Sequence, residues 1–287
     1  EKIAYADDNT QITISDVKRI MDSVATGLLD LGISREPVVV FMEKSPNTIA
    51  TFFGVINAGC YYVPIDSEMP ATRIQLILEN CKPKVTICDE STVEAANAFD
   101  YKARVVLFSD IVNTDSDSER LSLVRRKAID TDPIYIVFTS GSTGVPKGVC
   151  ACHRSVIDYI EQLSETLDFD ENTVFGNQTP LYFDACLKEL YPTLKFGATT
   201  YLIPHSYFMF PIKLVEYINS HGINTICWVV SALTMISAFS TFDTIKPTGL
   251  RTIAFGSEVF PIKQFRLWRQ ACQEARFFNL YGPKAGT

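Results

Sequence analysis

From 15 to 31, apolar residues recur every three or four positions: Val17, Ile20, Met21, Val24, Leu28 and Leu31. That is the period of a helix burying one face, with Ser15 placed to cap it and Gly32 to end it. The run 37–42 is apolar without alternation and reads as a strand covered on both sides. A helix follows over 46–58, carrying Ile49, Phe52, Phe53 and Ile56 and ending near Gly59. The pattern then predicts a short strand at 61–63 closed by Pro64, a helix at 73–80, a strand at 84–88, a short helix at 94–99 and a strand at 104–108. The polar stretch 113–120 has no packing signal and reads as a surface loop. Strand 134–139 opens the middle of the chain. The same grammar returns as helix 214–220, strand 225–230, helix 231–239, strand 251–255, helix 261–272 and strand 276–280. Strands apolar on both faces, alternating with helices, predict an α/β protein with largely parallel sheets flanked by helices.

Length divides this picture. At 287 residues the chain exceeds the usual size of a single core, so two lobes are expected. Apolar residues at 47% and charged residues at 21% describe a globular protein. A net charge of −7 argues against a nucleic-acid partner, which would require a basic face. No run of about 18 apolar residues exists, and the start lacks the basic and apolar regions of a signal peptide, so no membrane partner and a cytoplasmic location are expected. The eight cysteines form no CxxC pair. Cys150, Cys152 and His153 lie close together, but their spacing does not suit zinc and no second ligand pair follows. They read as reduced thiols, and no residue is assigned to a metal. The chain starts without Met and stops inside an apparent loop, so it reads as a fragment.

Strand 134–139 delivers the segment with the most chemistry: Thr139, Ser140, Gly141, Ser142, Thr143, Gly144, then Val145-Pro146-Lys147-Gly148. Glycines let backbone approach an anion closely, turn N–H groups form an anion-binding nest, and hydroxyls and lysine add donors and charge. An ordinary strand-ending turn is the plainer explanation. It is not the P-loop, because Pro146 precedes the lysine and Gly148 follows it.

This word resembles the phosphate-binding signature of the adenylate-forming (AMP-binding) enzymes, which include acyl-CoA synthetases, peptide-synthetase adenylation domains and luciferases. Four further words fall in the family's order. Asn57-Ala-Gly-Cys-Tyr-Tyr-Val-Pro-Ile-Asp66 resembles an early structural word. Leu181-Tyr-Phe-Asp184-Ala-Cys-Leu-Lys188-Glu189 is similar to the Phe-Asp word of amino-acid-activating members. Ala254-Phe-Gly256-Ser257-Glu258-Val-Phe-Pro261 and Asn279-Leu280-Tyr281-Gly282-Pro283 resemble the segments around the adenine. The resemblance covers nearly the whole chain and is nearest to D-alanine–carrier-protein ligases and amino-acid adenylation domains.

What the resemblance implies is specific. The chain is a truncated N-terminal adenylation core over 1–287, with two abutting lobes: one of about 36–165, the other of about 1–35 plus 166–287. Thr139, Ser140, Gly141, Ser142, Thr143, Gly144 and Lys147 hold ATP phosphates. Gly256, Ser257, Glu258, Asn279, Leu280, Tyr281 and Gly282 lie about the adenine, with Tyr281 stacked on it. The substrate pocket involves Asp184, Ala185, Lys188, Cys227 or Trp228, Ile253, Phe255 and Leu280. Asp184 pairs with an α-ammonium in this scheme; capping the next helix is the alternative. Lys188 either pairs with Asp184 one turn away or faces a substrate with an acidic or polar side chain.

The implied activity consumes ATP with Mg²⁺, forms an aminoacyl-adenylate, releases pyrophosphate, and passes the acyl group to a carrier-protein phosphopantetheine thiol. The catalytic lysine belongs to a small C-terminal lid domain absent from this chain, so the catalytic residue is unknown and the fragment is expected to be inactive or weakly active alone. Relatives read Thr-Glu after Gly-Pro, where this chain has Lys284-Ala285. That departure favours an alternative, a non-catalytic nucleotide-binding module. An aryl or acyl-CoA ligase is a second alternative, against which Asp184 argues, because such an acid leaves its charge unpaired.

Overall fold

The computed structural model describes residues 1–139, 145–256 and 258–280. It opens with β1 (Ile3–Ala6), β2 (Gln11–Thr13) and α1 (Ile14–Asp30). Next come β3 (Pro37–Phe41), α2 (Pro46–Asn57), β4 (Tyr61–Ile65), α3 (Ala71–Cys81), β5 (Val85–Cys88), α4 (Val93–Ala98), β6 (Arg104–Leu107), α5 (Phe108–Ile111) and α6 (Ser118–Lys127). A hairpin of β7 (Pro133–Thr139) and β8 (Lys147–Cys152) leads into α7 (His153–Leu167) and β9 (Val174–Asn177). After a 3₁₀ turn, Asp184–Cys186, the chain continues through α8 (Leu187–Phe196), β10 (Thr199–Leu202), α9 (Pro211–Ser220), β11 (Thr225–Val229), α10 (Val230–Ala238), α11 (Thr241–Thr244), β12 (Thr252–Gly256), α12 (Ile262–Ala271) and β13 (Arg276–Asn279).

Contacts divide the chain into two compact units. One comprises Ile12–Tyr159 and Pro180–Asp184; the other comprises Glu1–Gln11, Ile160–Thr179 and Ala185–Thr287. The first is built on a sheet ordered β6-β5-β3-β4-β7-β8, parallel except for the β7–β8 hairpin. The second is built on a sheet ordered β13-β12-β11-β9-β10-β1-β2, whose pairs from β1 to β13 run parallel. Helices flank both, as the periodicity predicts.

The division departs from the expected lobes at the N-terminus. Residues 12–35 join the first unit because α1 packs on α2. Gly54 permits that approach: a Cβ there would lie 2.7 Å from Val24 Cβ. The cap of α1 is Thr13 rather than Ser15. The Thr13 hydroxyl accepts from Asp16 N–H at 3.1 Å, and the Asp16 carboxylate accepts from Thr13 N–H at 2.9 Å, a reciprocal capping box. Gly32 takes a positive φ of 72° past the helix end, as expected.

Two further expectations change. β4 runs through Pro64, which pairs with Val40, and its described register with β7 is confined to Tyr62↔Tyr135. The stretch 113–120 is not all loop, since Asp117 accepts from Arg120 N–H at 3.0 Å and starts α6. Only Leu121 of that helix is buried, too little to give a periodic signal. No helix among the described residues is long and apolar enough to cross a membrane.

Candidate nucleotide and substrate site

In the first unit, the two ends of the glycine-rich segment are fixed by the β7–β8 hairpin. Thr139 and Lys147 are directly paired, and the Thr139 hydroxyl donates to the Lys147 carbonyl at 3.5 Å. Arg73 on α3 donates to the Phe138 carbonyl at 3.1 Å, anchoring the strand one residue earlier. Gly148 faces Phe138, and a Cβ there would lie 2.8 Å from Ile136 Cγ2 and 3.2 Å from the Phe138 ring. A side chain has no room, so the glycine after the lysine serves the hairpin. Lys147 itself is exposed and can meet an anion. Ser140, Gly141, Ser142, Thr143 and Gly144 lie outside the described residues.

The segment Pro180–Asp184 belongs to this same unit. Leu181 and Tyr182 line a small cavity with Met42, Lys44, Thr48 and Asp66 beyond the C-terminal ends of β3 and β4. Burial, then the charges of Asp66 and Glu68, push the Tyr182 phenol up; Arg73 opposes them. Asp184 is exposed at the start of its 3₁₀ turn. It does not cap α8, whose N-cap is Cys186 without a side-chain bond. No described ion pair involves Asp184 or Lys188, so the proposed i,i+4 pair is not formed among the described residues.

In the second unit, β10 follows β9 on one side of the sheet while β11, β12 and β13 extend on the other. The chain order thus reverses between β9 and β11, and open α/β sheets bind ligands at the carboxyl ends of strands beside such a reversal. Asn177, Val229, Gly256 and Asn279 stand at those ends. Two of the sequence words meet there. Leu280 N–H donates to the Phe255 carbonyl at 2.7 Å, and a Cβ on Gly256 would lie 3.1 Å from the Leu280 carbonyl oxygen. Gly256 therefore allows β12 to lie against the backbone of the Asn279–Leu280 word. Glu258 is exposed beside it. Ser257, Tyr281, Gly282 and Lys284-Ala285 lie outside the described residues.

The pocket-wall candidates split between the two faces of this sheet. Trp228, Ile253 and Phe255 are buried in the core shared with α9, α10 and α12. The Trp228 indole N–H donates to the Gly176 carbonyl at 2.6 Å. Cys227 and Ala254 face the other way, into a cluster with Leu163 and Leu167 of α7, against which Leu280 packs. Burial, then Glu189, push the Cys227 thiol far up, and the Lys188 ammonium opposes them. Cys227 is thus in electrostatic reach of Lys188. Ala185 and Lys188 are both half-buried.

One arrangement carried no role in the sequence analysis. Glu189 is fully buried, and the Asn177 amide donates to its carboxylate. Its carbonyl accepts from Thr193 at 2.8 Å, and the next carbonyl, Leu190, accepts from Tyr5 at 2.6 Å. This network fixes α8 over the strand ends. The hydropathy pattern gives no sign of it, because Lys188-Glu189 reads as an ordinary charged pair between Leu187 and Leu190.

The profile of the family described as "AMP-binding enzyme" matches residues 1–284. The chain belongs to that family. Among relatives of this AMP-binding enzyme, an L-proline–[L-prolyl-carrier protein] ligase of Pseudomonas fluorescens is 31% identical, over 92% of this chain and 54% of the relative. A D-alanine–D-alanyl carrier protein ligase of Staphylococcus aureus is 28% identical over 94% and 54%. The chain therefore spans about half the length of these curated relatives. The structure of VinN with L-aspartate superimposes with a TM-score of 0.84 at 18% identity, covering 99% of this chain and 72% of that one. The nonribosomal peptide synthetase FmoA3, bound to α-methyl-L-serine-AMP, gives 0.85 at 20% identity, covering 98% and 31%. These two establish the fold, that of the N-terminal domain of adenylate-forming enzymes.

Proposed function

We propose that this AMP-binding enzyme activates an amino acid with ATP as an aminoacyl-adenylate, for transfer to the phosphopantetheine thiol of a carrier protein. The observation that carries the reading is the match across nine-tenths of the chain to two amino acid–carrier protein ligases. A substrate carboxylate oxygen attacks the α-phosphorus of ATP, the bond to the bridging oxygen breaks, and pyrophosphate leaves. Charge stays on phosphate oxygens throughout, so catalysis consists of positioning and electrostatics. Lys147 and the hydroxyls of Thr139, Ser140, Ser142 and Thr143, with the backbone of Gly141 and Gly144, hold the phosphates. Gly256, Ser257, Glu258, Asn279, Leu280, Tyr281 and Gly282 take the adenine. Asp184 receives the α-ammonium, supported by its exposure and by its lack of a described ion partner. Ala185, Lys188, Trp228, Ile253 and Phe255 shape the acyl side, Trp228, Ile253 and Phe255 from within the core.

No group of three or more acidic, cysteine or histidine side chains suited to a metal occurs among the described residues. Mg²⁺ would enter as its ATP complex, held by phosphates and water. The reading implies a cytoplasmic protein, in keeping with eight free cysteines.

Lys284-Ala285 favours a second reading, a nucleotide-binding module without catalysis. ATP–pyrophosphate exchange on the full-length protein, across a panel of amino acids, separates the two. Exchange dependent on one amino acid supports activation; ATP binding with no exchange for any amino acid supports the module.

A further inference from the structure

Six of the eight cysteines are buried or half-shielded: Cys60, Cys88, Cys186, Cys227 and Cys272 are buried, and Cys81 is intermediate. Burial pushes Cys81 and Cys272 up to about 12, opposed at Cys81 by a backbone hydrogen bond. The other two differ. Cys150 is exposed and Cys152 half-exposed, both on β8, the sheet-edge strand that begins at Lys147. Two residues apart on an extended strand, they project from the same face. Their charges are within reach of one another: desolvation first, then Cys152, pushes Cys150 up.

Cys152 has the surroundings of a nucleophilic thiol. It immediately precedes α7, whose first-turn Ser155 accepts from Cys152 N–H at 3.2 Å and donates to its carbonyl at 2.8 Å. The Cys152 Sγ lies 3.7 Å from the Ser155 hydroxyl. The Ser155 backbone N–H, then its hydroxyl, hold this thiol below the usual cysteine range, the direction that exposes thiolate to electrophiles.

We propose that Cys150 and Cys152 are a reversible oxidation site, closed to a disulfide by hydroperoxides, and that closure loosens the hairpin holding Lys147. The Cys152 thiolate attacks a peroxide oxygen; an S–O bond forms, the O–O bond breaks, and the released hydroxide takes a proton. The Cys150 thiolate then attacks the Cys152 sulfur, the S–S bond forms, and the sulfenic oxygen leaves as water. Two thiols thus reduce one peroxide to two waters or to water and an alcohol. Residues i and i+2 of a strand are about 6.6–6.8 Å apart at Cα, the long limit of what a disulfide spans. The bond must therefore shorten β8, whose register with β7 already shifts between Pro133 and Tyr135, opposite Ala151 and Cys152. A disulfide formed against strand geometry is readily reduced, as a reversible site requires.

Trypsin cuts after Lys147 and Arg154, so both cysteines leave on one peptide, 148–154. The test treats the protein with hydrogen peroxide, blocks residual thiols and weighs that peptide. The expected result is a peptide two hydrogens lighter, restored by dithiothreitol. Cys150→Ser should instead stop at a Cys152 sulfenic acid trapped by a 1,3-diketone, and Cys152→Ser should react at the slow rate of the buried thiols. Amide hydrogen exchange across 147–152 should lose protection by about tenfold or more on oxidation and regain it on reduction. A cross-link from Cys150 to Cys81, equal oxidation of all eight cysteines, or unchanged exchange in the oxidised protein would overturn the proposal. None of these readouts needs nucleotide, so they stand apart from the activity proposed above.

Discussion

Thr139 and Lys147 face one another across the β7–β8 hairpin, so the seven residues between the strand end and the exposed lysine are bracketed by backbone pairing. The hairpin thus holds the glycine-rich segment at both of its ends.

Two neighbouring substitutions should therefore separate binding from stability. Lys147→Ala removes an exposed cation and should weaken ATP binding by roughly 10–100-fold, the loss of one charge-assisted contact of about 1.5–3 kcal/mol, with little change in melting temperature. Gly148→Ala places a methyl 2.8 Å from Ile136 and should destabilise the fold by about 1–3 kcal/mol. Calorimetric titration with ATP and urea unfolding of both variants check the pair; equal melting losses would refute the division.

The buried Asn177–Glu189 contact should matter as architecture. Glu189→Ala strands a buried amide donor and should cost about 1–3 kcal/mol or more, measured as a lower denaturant midpoint. Glu189→Gln, which keeps an acceptor, should cost less. A neutral Glu189→Ala would show that α8 is held by its apolar face alone.

The capping box of α1 gives a pH dependence of known sign. The Thr13 backbone N–H, then its hydroxyl, hold the Asp16 carboxyl below its ordinary value. A depressed folded value means the carboxylate's contribution is fully present above the unfolded value near 3.8, and is lost as pH falls through the lower folded value. Melting curves between about pH 2 and 6 should show a smaller acid-side loss for Asp16→Asn than for the parent. Parallel curves would remove Asp16 from the account.

Much of this was legible in the sequence. Val38–Phe41, Thr225–Val229 and Thr252–Gly256 are apolar on both faces because their strands are covered on both faces, and that pattern survives without coordinates. β8 was not legible. Its residues are mostly exposed, so nothing in their hydropathy distinguishes an edge strand from a loop. Ser15 fits the capping rule as well as Thr13 does, and only the Thr13–Asp16 reciprocity decides between them. The words that resemble a family gave the candidate residues, yet hydropathy could not say which side of a strand each would face. Trp228 and Cys227 are adjacent in the chain and lie in different clusters.

The central claim is that Asp184 receives the ammonium of an amino-acid substrate. Amino-acid-dependent ATP–pyrophosphate exchange by the full-length protein, compared between the parent and Asp184→Ala, tests it most directly. Exchange should fall by roughly 10–100-fold, the loss of one charge-assisted contact of about 1.5–3 kcal/mol, while ATP affinity and melting temperature barely move. Unchanged exchange in Asp184→Ala, or a parent that prefers a carboxylic acid without an amine, would contradict it.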